Sequence, residues 1–333
     1  MPYATHKSVL NVVVTTAKFD CLNEKITLIG KEQNMKWQTP LAVGGITMPV
    51  TTIVGQKPGP AVLITAGIHG AEYVGIETAR RLTALLDPNE IAGRVTIVPC
   101  VNQAAFKARV PALNPLDQKN INRMFPGNEK GTSSEQIAAA LTGLQDDHDF
   151  YLDLHGGDLH ENLAAYVYFQ GDCDSHVSEQ GRELCRWVDV PVRIRSTART
   201  GAYNSANHRG TPSILIERGC AGRWSETEVA AYLRDVTSVL GALGVIENDG
   251  TLNQRRSDDE QLEMEAYYEG APDDGLWYPA VQAGDKVTTG QTLGELRDFN
   301  GALIHEAIAK KEGVVLYLSG TLFVPKGVDL VAY

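Results

Sequence analysis

Apolar residues in this chain occur in short runs that repeatedly end at glycine-containing turns. The clearest run covers residues 61–66 and contains several β-branched residues, which is typical of a buried strand. After the turn Gly67-Ile68-His69-Gly70, apolar residues recur at helical spacing as far as Leu86, and Asp87-Pro88 then stops the pattern. The pattern therefore predicts a strand, a glycine turn and a helix at the centre of the fold.

The alternation of strands and helices continues along the chain. Apolar runs predict further buried strands at residues 94–101, 150–154, 164–170, 191–195 and 213–216. Helical spacing and capping boxes predict helices at about residues 132–145, 178–188 and 225–243. This alternation is typical of the α/β class, in which helices connect the strands of one sheet.

Two stretches depart from this alternation. Residues 8–55 contain short β-favouring runs separated by polar turns, which predict antiparallel strands leading into the main sheet. Residues 102–131 show no regular period, yet Phe106, Met124 and Phe125 supply enough apolar anchors to keep the segment ordered. Because long irregular segments in compact domains are often functional, we expect this one to contribute to a site.

The last part of the chain has a different pattern, with short strands and closely spaced glycine turns from residue 261 onward. Residues 248–260 are polar and without apolar periodicity, so they predict a boundary between an α/β domain at 1–247 and a small all-β domain at 248–333. The stretch from Gly284 to Gln291 resembles the hammerhead turn of biotinyl and lipoyl domains. No lysine lies in a clear carrier motif, so we interpret the resemblance as structural.

Composition narrows the possible partners. The chain has 333 residues, 43% of them hydrophobic, which is enough to bury a sizeable core, and its formal net charge is −11. Such a charge argues against a nucleic-acid or membrane-surface partner. The five cysteines are odd in number and widely spread, and no run approaches 18 apolar residues, so we expect reduced thiols, no membrane span and a cytoplasmic location.

Candidate metal ligands lie where predicted strands meet glycine turns. His69 and Glu72 are three residues apart after the first strand, and His155 ends the strand at 150–154 in the sequence Asp153-Leu154-His155-Gly156-Gly157. Alone, each is ambiguous, since Glu is favoured at a helix start and a buried histidine often has only a structural role. Together, two imidazoles and a carboxylate form a donor set that suits zinc. Asp153 is placed to orient a ligand.

A fourth polar group follows the same rule, because Glu217 ends the predicted strand at 213–216. A carboxylate at that position is able to accept a proton from metal-activated water and pass it to a leaving nitrogen. The alternative is a structural glutamate paired with Arg218 or another arginine. Glu217 is therefore a candidate general base and acid whose role depends on the three metal ligands lying nearby.

The assembled motifs resemble the succinylglutamate desuccinylase and aspartoacylase family, relatives of the zinc carboxypeptidases. The matching motifs are Gly67-Ile68-His69-Gly70-Ala71-Glu72, Asn120-Ile121-Asn122-Arg123-Met124-Phe125-Pro126-Gly127, Asp153-Leu154-His155-Gly156-Gly157 and Ile216-Glu217 with Gly219. Their order covers roughly residues 45–245, and the C-terminal β segment also fits the family. The resemblance implies a mixed, mostly parallel sheet with helices on both faces.

The resemblance also implies an activity, the removal of an acyl group from an N-acylated amino acid by a zinc-dependent amidohydrolase. It assigns His69, Glu72 and His155 to one Zn²⁺ per chain, Glu217 to proton transfer, Asn122 and Arg123 to a substrate carboxylate, and Arg109 to the scissile carbonyl. The planar guanidinium of Arg123 suits a carboxylate, so we expect a small anionic substrate. We further expect one or two of five arginines to face the pocket and offset the negative charge of the chain, namely Arg193, Arg195, Arg199, Arg209 and Arg218.

Several alternatives stay open at this point. A metallocarboxypeptidase acting on short peptides uses the same chemistry, and a non-catalytic protein that binds acyl amino acids is a rival of another class. The acyl group is either acetyl or succinyl, and N-acetyl-diaminobutyrate is one candidate substrate. An exposed edge of the β domain makes a homo-oligomer possible. Serine-hydrolase and nucleotide-binding motifs are absent from the sequence.

Overall fold

The computed structural model describes residues 34–333, so the β-favouring run predicted near residue 11 lies outside the described part. The strands are β1 (Met35–Val43), β2 (Ile46–Val54), β3 (Lys57–Ala66), β4 (Ala92–Val98), β5 (Leu113–Asn114), β6 (Lys119–Asn120), β7 (Phe150–His155), β8 (Glu161–Leu163), β9 (Tyr166–Gln170), β10 (Val192–Ser196), β11 (Ser213–Glu217), β12 (Leu262–Met264), β13 (Tyr268–Gly270), β14 (Gly275–Pro279), β15 (Lys286–Val287), β16 (Thr292–Arg297), β17 (Leu303–Ile308), β18 (Gly313–Val314), β19 (Tyr317–Ser319), β20 (Phe323–Val324) and β21 (Asp329–Ala332). The helices are α1 (Tyr73–Leu85), α2 (Gln103–Ala108), α3 (Ser133–Asp146), α4 (Ser175–Cys185), α5 (Ala202–His208) and α6 (Glu226–Ala242), with a 3₁₀ turn at Ile121–Arg123.

A nine-stranded sheet forms the centre of the molecule, in the order β1-β2-β4-β3-β7-β11-β9-β10-β12. The pairs β3–β4, β3–β7, β7–β11, β9–β10 and β10–β12 are parallel, whereas β1–β2, β2–β4 and β9–β11 are antiparallel. The predicted mixed, mostly parallel sheet is therefore confirmed. The predicted antiparallel entry is present in the hairpin of β1 and β2.

Helices cover both faces of this sheet, and each face has its own apolar core. One core joins residues of α1, α4 and α6 to the sheet, as in the cluster of Leu82, Leu184 and Val236 with Ile64. The other core joins α3 and α5 to the opposite face, where Leu141 and Ala206 pack with Leu63. Because both faces are buried, the central strands read as nearly continuous apolar runs in the sequence.

The C-terminal part contains two four-stranded antiparallel sheets, in the orders β13-β21-β19-β8 and β17-β16-β14-β20. Trp277, Leu296 and Leu330 belong to its own core. Two connections cross the predicted boundary at residue 248, because β12 extends the main sheet and β8 pairs with β19. The division at 247/248 stays a prediction, and the two parts are joined through shared sheets.

Some element bounds differ from those predicted. Strand β3 begins at Lys57, four residues before the apolar run from which it was predicted, because residues 57–60 form a mostly exposed start of the strand. Helix α4 starts at Ser175 because the Asp174 side chain accepts hydrogen bonds from the backbone of His176 and Val177. The short helices α2 and α5 were not predicted, since neither is long enough to show a helical period. Among the described residues, no helix has the length and apolarity that crossing a membrane requires.

Candidate metal centre and active site

Three adjacent strands bring the predicted site residues together. In the order β3-β7-β11, His69 follows the end of β3, His155 is the last residue of β7, and Glu217 is the last residue of β11. The strands run parallel, and Glu217 lies directly opposite His155 in the register of β7 and β11. The site therefore lies at the carboxyl ends of the strands, where open α/β sheets form their ligand crevices.

The turn that carries His69 depends on close packing. Gly67 has a φ of +67°, a conformation that glycine adopts without strain. A Cβ at Gly70 would lie 2.4 Å from the backbone nitrogen of Phe106, so helix α2 packs directly against the turn. Glu72 is the N-cap residue of α1. The glycines thus let the chain reverse sharply and aim His69 and Glu72 at the same point.

His69, Glu72 and His155 each offer a ligand atom, and these atoms lie within 4.8 Å of one another. The Glu72 carboxylate lies between the two imidazoles, with Oε1 2.6 Å from His69 Nδ1 and Oε2 3.1 Å from His155 Nδ1. The two rings are nearly perpendicular, with their centroids 5.1 Å apart. Glu72 and His155 are both buried and His69 is nearly so.

The charges of these three groups are strongly coupled. Burial alone would raise the pKa of Glu72, but the two imidazoles outweigh it and hold that pKa at about 2. Burial also opposes protonation of His155, yet Glu72 and Asp153 raise its pKa well above the usual value. His69 shows the same balance, in which Glu72 outweighs burial and raises the pKa. The surroundings of the two imidazoles therefore stabilise a positive charge next to the Glu72 carboxylate.

The donor set fits a metal ion by two observations. Glu72 Oε2 and His155 Nε2 are buried atoms without a hydrogen-bond partner among the described residues, although Glu72 and Asp153 oxygens lie close to the His155 ring. Buried polar atoms rarely stay unpaired in native proteins, and an ion would satisfy the carboxylate oxygen. Two imidazoles and one carboxylate are also a donor set that leaves an open position on zinc.

Further polar groups hold the two imidazoles in place. Asp153 Oδ2 lies 3.2 Å from His155 Nε2, and Asp153 Oδ1 accepts a hydrogen bond of 2.9 Å from Thr65. His69 Nε2 lies 3.2 Å from the side-chain oxygen of Asn120. His69 Nε2 thus has a hydrogen-bond partner, and His155 Nε2 has a carboxylate oxygen nearby without a formed hydrogen bond, while Nδ1 of each ring faces Glu72. Oxygen atoms next to the second ring nitrogen are typical of the surroundings that orient metal-ligating histidines. The orienting position predicted for Asp153 agrees with this geometry, whereas Asn120 was not predicted.

Glu217 stands beside the three ligands. Desolvation raises its pKa well above the usual value, His155 opposes this shift, and Glu72 and Glu161 reinforce it. Among the described residues, its carboxylate forms no ion pair, and Arg218, the alternative partner, is paired with Asp235 at 2.6 Å. A carboxyl group with a raised pKa holds a proton more readily than an ordinary carboxylate, which suits a group that transfers protons.

The three predicted substrate residues occupy different environments. Asn122 is buried, and its side-chain oxygen accepts a hydrogen bond of 2.8 Å from the backbone of Ala202 at the start of α5. Arg123 is exposed. Burial raises the pKa of both Tyr268 and Asp329 and the charge of Arg123 opposes each shift, so Arg123 lies near the C-terminal sheets. The roles of both residues stay predictions.

Arg109 caps the C-terminus of α2 with a φ of +56°, and its exposed side chain makes no hydrogen bond or ion pair within residues 34–333. Helix α2 adjoins the turn that carries His69, because Gly70 lies against Ala105 and Phe106. The structure thus places Arg109 on an element next to the ligands, without a contact between its guanidinium and any of them. Its assignment to the scissile carbonyl stays a prediction.

Each of the five arginines expected to offset the negative charge is paired with a carboxylate of the chain: Arg193 with Glu263, Arg195 with Glu265, Arg199 with Asp172, Arg209 with Asp146 and Arg218 with Asp235. That one or two of them face the pocket stays a prediction. Four of these five acidic partners lie at least 27 residues from their arginine along the chain, and the fifth, Asp235, lies 17 away. The sequence gives no local signal of such pairings.

Two acidic residues that were not predicted lie near the ligands. Asp158 is buried, and Glu161 lies close enough for its charge to act on the pKa of His69. Burial and the charge of Asp158 raise the pKa of Glu161 to about 7. Neither carboxylate has an ion-pair partner in the described part of the chain. The sequence could have indicated both carboxylates as site residues, because both follow the predicted ligand His155 within six residues.

The C-terminal sheets also reach this region. The hydroxyl groups of Tyr168 on β9 and Tyr268 on β13 are hydrogen-bonded at 2.5 Å, and the charge of Glu217 acts on the pKa of both. A separate cavity of about 770 Å³ lies at the opposite ends of the strands, lined by residues such as Pro60, His148 and Arg209, and it includes none of the candidate metal ligands or Glu217. The chemistry is therefore located by the ligand cluster and not by that cavity.

Comparisons with known proteins found a matching family model and related sequences. A sequence model of the succinylglutamate desuccinylase/aspartoacylase catalytic domain matches residues 58–243, which include all the predicted ligands. An N-alpha-acetyl-L-2,4-diaminobutyric acid deacetylase of Halomonas elongata is 28% identical over 284 residues, covering 82% of this chain and 81% of that protein. A succinylglutamate desuccinylase of Yersinia pseudotuberculosis is 23% identical over 246 residues, or 69% of each chain.

Solved structures show the same architecture. A succinylglutamate desuccinylase/aspartoacylase from Rhodobacter sphaeroides aligns with a TM-score of 0.79 at 26% identity, covering 91% of this chain and 96% of that one. A product-bound ectoine utilization protein from Ruegeria pomeroyi aligns with a TM-score of 0.76 at 23% identity, covering 89% of this chain and 92% of that one, a likeness in fold. Because each alignment covers about nine tenths of this chain, it includes the C-terminal sheets as well as the α/β part.

Proposed function

Since the chain belongs to the succinylglutamate desuccinylase/aspartoacylase family, we propose that it is a zinc-dependent hydrolase that removes a short acyl group from an N-acylated amino acid. The observation that supports this most directly is the meeting of His69, Glu72 and His155 within 4.8 Å, with Glu217 at the tip of the adjacent strand. Zinc in such a site supplies a Lewis acid and lowers the pKa of a coordinated water to about 7.

The residues of the chain contribute the remaining steps. Glu217 takes up the proton of the attacking water and returns it to the departing amine, which its raised pKa favours. Asp153 and Asn120 hold the imidazoles so that both Nδ1 atoms point at one position. Arg123 binds the carboxylate of the amino acid, with Asn122 shaping the 3₁₀ turn beside it. Arg109 polarises the scissile carbonyl if α2 brings its guanidinium inward when substrate binds.

The charge around the site favours one kind of amino acid. Asp158 and Glu161 lie near the ligands without a cationic partner among the described residues, and the five candidate arginines are each paired with another carboxylate. A substrate with several carboxylates, such as succinylglutamate, would meet repulsion at these acidic groups. N-acetyl-diaminobutyrate carries one carboxylate for Arg123 and one ammonium group that balances the acidic pair. We therefore favour a deacetylase of basic N-acyl amino acids over a desuccinylase.

Replacing Glu217 by Gln tests the proposed mechanism. Loss of the proton-transferring group is expected to lower kcat by about 10²- to 10⁴-fold. The zinc content of E217Q, measured by metal analysis, is expected to equal that of the parent because Glu217 is not one of the three ligands. The substrates are N-acetyl-diaminobutyrate, N-succinylglutamate and an unmodified dipeptide, with released amine as the readout.

The outcomes of this experiment separate the alternatives. Hydrolysis of the dipeptide in preference to both acyl amino acids would support the carboxypeptidase instead. Binding of an acyl amino acid without any released amine would support the non-catalytic protein. A variant as active as the parent would remove Glu217 from the mechanism, while a parent free of bound metal and indifferent to added zinc would refute the proposal as a whole.

A further inference from the structure

The tips of β7 and β11 must keep a fixed separation, because one carries the ligand His155 and the other carries Glu217. The backbone hydrogen bond at the tips themselves, from the Arg218 amide to the His155 carbonyl, is 3.3 Å long, and the two segments meet again through a bond of 2.9 Å from the Gly157 amide to the Gly219 carbonyl. A length of 3.3 Å is beyond the usual range for N–H···O bonds, so the bond next to His155 and Glu217 is the weak one of the two. A side-chain contact at this point would therefore add to the junction.

Tyr232 supplies that contact from the side of the sheet covered by α6. Its side chain is fully buried, and its hydroxyl lies 2.6 Å from the carbonyl oxygen of Ile216 and 3.1 Å from that of His155. Because carbonyl oxygens only accept, the single hydroxyl proton is shared between the two strands in a three-centre hydrogen bond. One side chain thus ties the residue before Glu217 to the residue that binds the metal.

The junction is also tight immediately after the tips. A Cβ placed on Gly156 would lie 2.1 Å from the carbonyl oxygen of Arg218, so the two segments touch there. The strand ends are therefore confined by the Tyr232 hydroxyl at the tips and by this close approach just beyond them. Small displacements of reacting groups cost rate steeply, so such confinement has a direct consequence for proton transfer.

We propose that Tyr232 is a positioning residue that sets the distance between the metal-binding strand tip and Glu217. It touches neither substrate nor metal, and it acts through the two backbone carbonyls. This inference rests on the proposed hydrolase function for its effect on rate, but its effect on the β7–β11 junction is independent of any activity.

Replacing Tyr232 by Phe removes the hydroxyl and keeps the ring. We expect kcat to fall by about ten- to a hundredfold, KM to change by less than about twofold, and zinc content to stay the same because both histidine rings keep their other partners. In hydrogen exchange of the zinc-loaded protein, the Arg218 amide is expected to exchange up to about tenfold faster, since the rung it forms with His155 loses support.

Ser238 offers a matched control on the same helix. Its hydroxyl is also fully buried and bonds the Arg234 carbonyl at 2.6 Å and the Asn253 amide at 2.8 Å, away from the strand tips. Ser238→Ala removes a comparable hydrogen bond, so it should lower stability without changing kcat or the exchange of the Arg218 amide. A rate loss shared by both variants would mean that general destabilisation explains it, and the proposal would be overturned.

The two readouts also separate this inference from the proposed function. Unchanged exchange at Arg218 in Y232F overturns the positioning role whether or not the parent hydrolyses anything, and so does faster exchange with an unchanged kcat. A parent without hydrolase activity would refute the proposed function and leave the exchange comparison to decide on the junction. If Y232F fails to fold, Gly156→Ala disturbs the same junction just beyond the strand tips and must show the same loss of kcat at constant KM and zinc content.

Discussion

His148 provides a test of the structure that depends on pH and not on catalysis. It lies between α3 and β7, and only 6% of it is exposed. Its Nδ1 lies 2.6 Å from the Leu144 carbonyl and its Nε2 lies 2.8 Å from the Thr96 hydroxyl. Since a carbonyl only accepts, Nδ1 carries the hydrogen and Nε2 accepts from Thr96. Burial and the nearby charge of Arg94 lower the pKa of His148 to about 3.

The sign of the effect follows from proton linkage. In the unfolded chain a histidine has a pKa of about 6.5, so between that pH and about 3 the unfolded state binds a proton that the folded state excludes. The contribution of His148 to stability is therefore complete above pH 6.5 and is lost as the pH falls toward 3. The loss is about 1.4 kcal/mol per pH unit, or about 2 kcal/mol at pH 5.

The assay compares urea unfolding of the parent and of His148→Gln at pH 7 and pH 5. The variant starts less stable because it loses part of the hydrogen bonding, but the parent should lose about 2 kcal/mol more than the variant between the two pH values. Groups common to both proteins, including the metal ligands, cancel in this difference. His208→Gln at an exposed position is the control and should behave as the parent does. Equal losses in the parent and in H148Q would refute the buried neutral state of His148.

Two further predictions concern the site. Removing metal with a chelator should lower the free energy of unfolding, and adding Zn²⁺ at about a thousandfold above its Kd should restore about 4 kcal/mol, whereas Glu72→Gln should abolish this gain in a thermal-shift titration. Replacing Asp158 by Asn or Glu161 by Gln should raise the KM for N-acetyl-diaminobutyrate by about five- to tenfold. The KM for N-acetyl-norvaline, which keeps the carboxylate but has an uncharged side chain, should stay nearly unchanged. Equal effects on both substrates would show that the acidic pair does not recognise an ammonium group.

The candidate metal centre was accessible from sequence because its residues lie at strand tips. His69, His155 and Glu217 each follow an apolar run that is easily recognised as a buried strand, and parallel strands end at one edge of the sheet. For the three side chains to meet, the strands β3, β7 and β11 also have to be neighbours in the sheet. The observed strand order places them next to one another. The prediction thus depended on the spacing of apolar residues and on the position of glycine turns, which are local properties of the sequence.

Side-chain pairing was not accessible in the same way. Arg193 looked like a candidate for the pocket because it precedes the Glu217 strand in sequence, yet it is buried against Glu263, which arrives 70 residues later on β12. Tyr232 likewise reaches the strand tips from a helix that lies after both strands in the chain. Such contacts depend on how elements pack in three dimensions, and no periodicity in the sequence reports them.

The pairing of Arg193 also decides how the carboxypeptidase alternative has to be tested. Removing the residues after Asn248 would uncover the pocket in principle, but it would also remove Asp258 and Glu263, the carboxylates that neutralise a guanidinium of which only 1% is exposed. Breaking a buried ion pair from one side costs about 3 to 5 kcal/mol, a large part of the stability of a typical domain. The same cut removes the partner of β8, which continues from the His155 turn. Inactivity of the truncated chain would then reflect unfolding, so the choice between peptide and acyl amino acid has to be made with substrates offered to the whole chain.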